Sequence, residues 1–524
     1  MNDTISAQAF GNATSKGLGG HDDGASRNYS RFRFPIAVMS CILAGCSVQS
    51  PLKPPAIPME KSYGTPSKLA LPTVAGEPVQ RIVIGGKLAA DWWTLFHSKK
   101  LERVVKLALA KNPGLAAAEA DLKAAQEVAR AARGALYPRI DFSAGAQRQR
   151  QNFASFGLKF PPTTFNNFSI GTSVSYSFDV FGKNRYKIEQ RSAQADVQMY
   201  HRDAAYLALT GNVISDAIKI ASLRAQIKAY GQIITCDRQT LTLTRQRASV
   251  GVVTEADVAA AETLLASDRM ALPVLQQHLS AVRHALSTLV GSPPAQWKPP
   301  QFSFSHLILP KDLPSRLPSQ LVRRRPDILA AEAELRAASA AVGVATANLY
   351  PDITLTGGIA QSGAASLLNW PATIWAVGGG LAAPIFSGGA LTAQRRAAQD
   401  NYVAAGEMYR RTILNAFAQV ADVLDALQHD ADLLSAADVM FKAANHALII
   451  ARRNYQVGNV GLLVLLNAQR DQQRALLAQV RAKSQRYVDS AALFLAMGGG
   501  WWQQPSLRAV SVEEGGVVNH GALQ

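Results

Sequence analysis

The segment AEADLKAA at residues 118–125 returns as AEAELRAA at residues 331–338, a spacing of 213 positions. The same spacing holds without a gap until both segments end in Leu136-Tyr137-Pro138 and Leu349-Tyr350-Pro351. Two further correspondences lie 207 positions apart, Gly251 with Gly458 and Gly291 with Gly498. A chain that repeats so long a unit predicts a pseudo-symmetric structure made of two similar halves.

Each half contains a pair of predicted strands. Between Phe168 and Asp179, a mainly apolar series that includes Thr172 alternates with serine, glycine or aspartate. Residues 140–145 and 353–359 alternate in the same way, whereas the region 374–386 is broken by glycines and a proline. Period-two alternation is typical of a strand with one apolar face and one polar face.

The apolar face of the sheet formed by these strands must be covered by protein or by lipid. A water-soluble sandwich would cover that face with a second sheet, but the flanking sequence predicts helices. In an outer membrane the same pattern places apolar side chains against lipid and polar ones toward a lumen. Because lipid tolerates no open sheet edge and bacterial barrels begin at eight strands, four strands are too few. Three copies would supply about twelve, which predicts a homotrimer.

Long helices follow the strands. Residues 183–250 contain no proline over 68 positions, which predicts a helix about 100 Å long. Spacings of three and four residues, typical of coiled-coil packing, relate Leu209, Val213, Ile220, Leu223, Ile227, Tyr230 and Ile234 in the first half, with Asp216 in the one polar position, and Phe417, Val420, Leu424, Leu427, Ala431 and Leu434 in the second. Gly251 and Gly458 are the predicted hairpin tips, and Thr254 with Asp257 predicts a capped returning helix.

The N-terminal region predicts export and lipid attachment. Arginines within residues 27–33 precede an apolar run at 34–43, and Leu43-Ala44-Gly45-Cys46 follows. This order is typical of a secretory signal, here with an atypical N-terminal extension. The Leu-Ala-Gly-Cys segment resembles a lipobox, which predicts cleavage before Cys46 and diacylglycerol on its sulfur. Ser47, in place of an aspartate that would favour inner-membrane retention, favours the outer membrane. The alternative is a cysteine within an ordinary signal.

Composition and cysteine content exclude several function classes. The formal net charge of +17 comes from scattered basic residues, which predicts no nucleic-acid partner. One cysteine, Cys236, would remain beyond the signal and the lipid, too few for a disulfide or a zinc site. No cofactor other than the lipid is predicted. The predicted divisions are a signal peptide at 1–45, a lipidated Pro/Gly-rich tether at 46–90, a first repeat at 91–291, a connector at 292–318, a second repeat at 319–498 and a flexible tail at 499–524.

Several motifs together resemble TolC-type outer-membrane factors, in the NodT-like and OprM-like lipoprotein branch. They are LPSQLVRRRPDILAAEAELRAASAAVGVATANLYP at 317–351, SFDVFGKNR at 177–185, PIFSGG at 384–389 and NYQVGNVGLLVLLNAQR at 454–470. The resemblance implies a mainly α protein with membrane β structure: a trimeric twelve-stranded outer-membrane β-barrel continuous with a long periplasmic α-helical barrel. It also implies a passive duct whose partners are outer-membrane lipid, a periplasmic adaptor (membrane fusion) protein and an inner-membrane pump.

The resemblance further implies a charged periplasmic gate, and this sequence departs from it. In many relatives an aspartate lies about nine residues after the hairpin glycine and forms a ring at the aperture. Asn467 stands there in this chain, and Arg470 and Asp471 lie close by. We therefore predict that Asn467 lines the constriction and that cations block the pore weakly.

The predicted function is export of drugs or other small molecules across the outer membrane. A channel for type I protein secretion is the alternative, and a periplasmic adaptor or structural coiled-coil lipoprotein is a more remote one. The sequence contains no HExxH, GxSxG or Walker-type motif, so we predict that the chain is no enzyme.

Overall fold

A computed structural model of the chain describes residues 79–86, 88–152, 157, 161–315, 318–363 and 373–501. All of them belong to one compact unit, Val48–Gln524. The predicted signal peptide, Cys46 and most of the predicted tether and tail lie outside the described residues.

Helices make up most of the described part of the chain. Those of 13 residues or more are α1 Lys99–Lys111, α2 Pro113–Arg133, α3 Lys183–Ser249, α4 Glu255–Leu289, α5 Pro326–Ala347, α6 Ala390–Gln456 and α7 Leu462–Ala496. The long helices α3 and α6 have 67 residues each, and the returning helices α4 and α7 have 35 each. The two halves therefore repeat their helix lengths as well as their sequence, as the internal repeat predicts.

Two sheets lie between these helices in the described residues. Their strands are β1 Arg81–Ile84, β2 Arg139–Gln151, β3 Thr163–Phe178, β4 Asp312–Ser315, β5 Asp352–Gly363 and β6 Thr373–Ala382. The larger sheet is antiparallel in the order β2-β3-β5-β6. Each repeat contributes one hairpin to it, and β3 of the first repeat pairs with β5 of the second.

The strand β6 continues through the glycines that the sequence suggested would interrupt it. Gly378, Gly379 and Gly380 lie opposite Thr356, Leu355 and Thr354 of β5. Glycine weakens a strand because it lacks a side chain to pack, but it keeps the backbone groups that form the ladder. The antiparallel partner therefore determines the strand here, and side-chain alternation does not.

A second, two-stranded sheet was not predicted. β1 and β4 pair in parallel over four residues, with Ile82 opposite Leu313, although they lie in the predicted tether and connector. Both side chains are buried in the main core, together with Trp92, Trp93 and Phe96 of a short 3₁₀ helix. The described part of the predicted tether is thus packed against the core from Gln80 onward.

The main core lies about halfway along the long helices. Its fully buried side chains include Val213, Ile214 and Ile218 of α3 and Ile413 and Val420 of α6. Val213 and Val420 belong to the predicted heptad pattern. The predicted coiled-coil spacing therefore marks the faces along which the long helices pack.

The RRRPDI segment fixes the start of α5 against the helices of the second repeat. Pro326 takes the first helical position, where a missing N–H costs nothing. Arg325 donates two bonds to the Asp327 carboxylate, at 3.0 and 2.7 Å. The same guanidinium donates to Gln419 of α6 at 2.8 Å and to the carbonyl of Ala496 of α7 at 3.1 Å. This buried arginine therefore joins three helices.

Candidate functional site

The large sheet has two chemically different faces. One face carries the apolar members of the alternation, and several of them are exposed in the single chain: Ile140, Phe142, Val174, Leu355, Ile359, Trp375, Val377 and Leu381. The opposite face carries mainly small or polar residues such as Ser143, Ser173 and Thr356. Trp375 is 73% exposed and Phe142 69% exposed, which is costly for aromatic side chains in water. This sheet is suited to lipid on one side and water on the other.

The sheet is also unfinished within the described chain. β2 and β6 each pair with one neighbour there, so their outer edges face no further strand. Unpaired edges present rows of free N–H and C=O groups, which are especially costly in lipid.

A short connection joins the first hairpin to the long helix α3. Gly182, at φ +79°, occupies the N-cap position, where its positive φ is easily adopted. The Asp179 carboxylate accepts from the backbone N–H groups of Asn184 and Arg185, both at 2.9 Å. A carboxylate on these free donors stabilises the helix start. The SFDVFGKNR motif is therefore a strand-to-helix connection.

This junction is tied to the second repeat. The ring of Phe181 stacks on that of Tyr350 with centroids 4.8 Å apart. Lys183 Nζ lies 3.0 Å from Asp352 Oδ2. Tyr350 belongs to the second Leu-Tyr-Pro segment, so these contacts explain why that segment carries an aromatic residue.

In the second repeat, the equivalent connection within PIFSGG has exposed side chains. Gly388 and Gly389 have φ of +59° and +81°, and Gly389 is the N-cap of α6. Ile385 is 93% exposed and Phe386 is 91% exposed. Tyr137, in the first Leu-Tyr-Pro segment, is 72% exposed.

The two hairpin tips lie beside each other. Gly251 and Gly458 follow the ends of α3 and α6 with φ of +74° and +81°. Thr254 and Asp257 form the predicted capping box at the start of α4. Arg247 donates to the carbonyl of Gln456 at 2.7 Å, and Thr244 Oγ1 lies 3.3 Å from the Tyr455 hydroxyl. Exposed apolar side chains surround the tips: Val250, Val252, Val457, Leu463 and Val464.

The predicted gate residues share one exposed face of α7. Asn467, Arg470 and Asp471 are all exposed and are separated by three or four positions, which places them on one side of a helix. The adjoining side of α7 packs inward through Leu466 and Gln469, which are buried. Whether Asn467 lines a constriction stays a prediction.

A buried polar cluster behind this face was missed by the sequence reasoning. Gln469 donates to Thr240 Oγ1 of α3 at 2.7 Å, and Gln473 donates to Asp268 Oδ2 of α4 at 2.8 Å. Asp237 is 2% exposed. Burial, and then the neighbouring Asp268 carboxyl, raise the pKa of Asp237 to about 8. The sequence did contain a signal for the burial of Asp237, because the heptad spacing through Tyr230 and Ile234 continues to this residue.

Comparison with known proteins identifies the family. The chain matches the outer membrane efflux protein family over residues 104–292 and 317–499, which is most of its length and corresponds to the two halves. The chain belongs to this family. The efflux-protein family consists of channels, so the predicted TolC-type resemblance, the outer-membrane location and the absence of enzyme activity are confirmed.

Relatives of this efflux protein match it over most of its length. The pyoverdine export outer membrane protein OpmQ of Pseudomonas putida is 32% identical over 415 residues, 78% of this chain and 88% of that protein. The outer membrane protein OprJ of Pseudomonas aeruginosa is 28% identical over 91% of this chain and 97% of that protein.

Solved channels share the fold. The outer-membrane channel OprN superposes with a TM-score of 0.77 at 26% identity, covering 86% of this chain and 99% of that one. VceC of Vibrio cholerae gives 0.73 at 27% identity, covering 79% and 100%. The predicted mainly helical fold with sheet elements and two efflux repeats is confirmed, and the chain is an outer-membrane efflux channel.

Proposed function

We propose that three copies of this efflux protein form a passive exit duct, which receives small molecules from an inner-membrane pump and a periplasmic adaptor. The observation that carries the proposal is the four-stranded sheet with an exposed apolar face and two open edges. Three such sheets supply about twelve strands, enough for a closed barrel. Closure removes every open edge from the lipid.

The helices support a second, helical barrel below the sheet. Each chain contributes the long helices α3 and α6 and the returning helices α4 and α7. By length and composition alone α6 could cross a membrane: its most apolar 18-residue window has a mean hydropathy of 1.3, yet only 11% of it is buried. Neighbouring helices of the same assembly would cover this surface, as they do in coiled coils.

The lipid on Cys46 and the hairpin tips supply the remaining contacts of the proposed duct. Diacylglycerol on Cys46 would attach the tether to the membrane, in addition to the barrel. The exposed valines at the tips beside Gly251 and Gly458 offer an apolar surface for the adaptor. We retain the repeats at 91–291 and 319–498 as the two structural units, which the family matches at 104–292 and 317–499 support.

The relatives favour small molecules over proteins as cargo. Their names describe export of pyoverdine, efflux of antibiotics and efflux of toluene. Type I protein secretion is the competing function. We therefore infer that this duct exports small molecules and that the pump selects them.

The test is accumulation of a fluorescent dye in cells that lack this gene, cells with the wild-type gene restored, and cells with a variant duct. The variant combines Ser175→Cys with Thr356→Cys. These residues lie opposite each other inside the chain, so the variant should keep the fold of the sheet. The proposal requires higher accumulation without the gene and recovery with either version. Unchanged accumulation over a broad compound panel, together with loss of a protein from the culture supernatant, would support secretion instead.

A further inference from the structure

The apolar face of the large sheet becomes basic at one end. On β2 this face runs from Ile140 to Ala146 and then reaches Arg148 and Arg150, which are both exposed. Alternate residues of a strand leave the same side, so the two arginines share the face of the apolar residues before them. Resting on the proposed function, which turns this face to lipid, we propose that Arg148 and Arg150 bind the phosphate groups of lipopolysaccharide, the phosphorylated lipid of the outer leaflet.

The two arginines lie just beyond the apolar part of the face. On β3 the mainly apolar series runs from Phe178 to Phe168, which spans about 34 Å along the strand. At a strand tilt of about 40° this corresponds to about 26 Å across the membrane, close to the apolar band of outer-membrane barrels, which is about 25 Å tall. Phe168 lies opposite Ala146, so Arg148 is the next residue of this face beyond the band. Its guanidinium therefore reaches the level of the lipid headgroups.

This end of the sheet is the end that faces away from the helices. β2 begins at Arg139, shortly after α2, and ends at Gln151. α3 begins shortly after Phe178, which lies at the same end of the sheet as Arg139. In the proposed duct the helices lie in the periplasm, so the Gln151 end of β2 lies at the outer leaflet, where lipopolysaccharide is found.

Two polar side chains of β3 complete the patch. Asn166 lies opposite Arg148, and Thr164 lies opposite Arg150. All four side chains are exposed, and all four can donate hydrogen bonds. Directly opposite residues lie about 5 Å apart between their Cβ atoms, and alternate residues of one strand lie about 7 Å apart. One or two phosphate groups can therefore contact all four donors at once.

The strands offer these guanidinium groups no carboxylate of their own. Residues 142–178 and 353–399 contain neither aspartate nor glutamate. Arginine binds a phosphate through two parallel hydrogen bonds, which are stronger than bonds between neutral groups. The outer end of the same face is neutral in the second hairpin, where Gln361 donates to Thr373 Oγ1 at 3.2 Å. The positive charge on this face is thus confined to the first hairpin, which gives one site per copy.

The surface next to the arginines suits acyl chains. Ala144 and Ala146 of β2 are small and exposed, and they lie opposite Ile170 and Phe168 of β3. Small side chains beside large ones leave a shallow groove that runs from the arginines toward the middle of the membrane. A phosphorylated lipid would use both the arginines and this groove, whereas a free phosphate ion would use the arginines alone.

Native mass spectrometry of the detergent-solubilised protein tests the site. The probe is lipid A, the phosphorylated anchor of lipopolysaccharide, compared with lipid A from which both phosphates have been removed. Arg148→Gln with Arg150→Gln should bind phosphorylated lipid A at least about tenfold more weakly than wild type, because two charged donors are lost. Dephosphorylated lipid A should bind wild type and this double variant equally weakly.

A variant of identical composition is the matched control. Gln147→Arg and Gln149→Arg are added to Arg148→Gln and Arg150→Gln. Neighbouring residues of a strand point to opposite faces, so this exchange moves both charges to the lumen side without changing the net charge. The exchanged variant should bind phosphorylated lipid A no better than the double variant. Binding at the wild-type level would overturn the site, since charge alone would then explain it.

The remaining outcomes separate this inference from the proposed function. Equal binding of phosphorylated lipid A by wild type and the double variant overturns the phosphate site. Inorganic phosphate at millimolar concentration should not displace the lipid, and displacement would overturn the lipid assignment in favour of a site for the free ion. The same spectra count the chains in each complex. A monomeric protein contradicts the proposed duct, whereas a trimer whose lipid binding ignores the arginines contradicts only this inference.

Discussion

The guanidinium carbon of Arg247, near the end of α3, lies 4.4 Å from the ring centroid of Tyr455, near the end of α6. Tyr455 is 1% exposed, so the ring is held firmly. The same arginine donates to the carbonyl of Gln456. These contacts join the two hairpins of one chain at their tips, where the proposed duct would narrow.

We predict that Arg247→Ala loosens the tips and increases the open fraction of the proposed duct. A cation–π contact contributes about 1 kcal/mol, which corresponds to a change of about fivefold in the ratio of open to closed channels. Single-channel recording in planar bilayers measures this ratio. Arg247→Lys is the control, because it keeps the charge but loses the planar hydrogen-bonding fork, and it should open the channel less. Equal behaviour of wild type and Arg247→Ala would show that the tips are held by other contacts.

We predict that Asn467→Asp increases block of the channel by divalent cations. In a trimer this substitution adds three carboxylates on the exposed face that also carries Arg470 and Asp471. Carboxylates close together attract divalent ions strongly. The measurement is conductance as a function of magnesium concentration. Gln277→Glu adds the same charge at an exposed position midway along α4 and should leave the block unchanged. An unaltered divalent response in Asn467→Asp would remove this residue from the constriction.

The long elements of this fold could be predicted from sequence because each carries its own periodicity. The helix predicted from Lys183 is observed to Ser249, and the alternation from Phe168 corresponds to the strand Thr163–Phe178. The pairing of β1 with β4 could not be predicted in this way. Each strand has four residues, too few for a period, and Arg81 lies opposite Asp312 far along the chain.

The candidate site likewise contains some residues that could be placed from the sequence and others that could not. Gly251 and Gly458 could be placed because a repeated glycine after a long helix signals an end to it. The Phe181–Tyr350 stack could not, because nothing in either motif indicates which aromatic residue of the other repeat it meets. Buried polar groups such as Gln469 also look like surface residues until their partners on other helices are known.

We predict that Asp237→Asn reduces the dependence of stability on pH. The pKa of Asp237 is raised to about 8 in the folded protein from its ordinary value of 3.8. Between these values the folded state holds a proton that the unfolded state has lost, so stability falls as pH rises, by about 1.4 kcal/mol per pH unit. Because the asparagine amide does not titrate, the substitution removes this contribution to the pH dependence of stability.

The melting temperature in detergent between about pH 5 and pH 8 checks this prediction. Asp237→Asn should lose less stability over that range than wild type and should be more stable at its upper end. Some slope should remain, because burial and the neighbouring Asp489 raise the pKa of Asp430 to about 8 as well. Asp400→Asn, at an exposed position of α6, is the control and should keep the wild-type slope. A wild-type slope in Asp237→Asn would mean that this carboxyl is ionised in the folded protein.

We predict that Arg325→Ala destabilises the junction of α5, α6 and α7. The side chain is largely buried and donates to Asp327, Gln419 and the Ala496 carbonyl. Because the Asp327 side chain is 43% exposed, the cost comes mainly from the Gln419 and Ala496 acceptors, which lose a charged hydrogen-bond donor, and is about 2 kcal/mol. Thermal unfolding of the purified protein measures the loss. Arg323→Ala removes an exposed arginine from the same run and should change the melting temperature little, whereas equal effects of the two substitutions would contradict a specific role for Arg325.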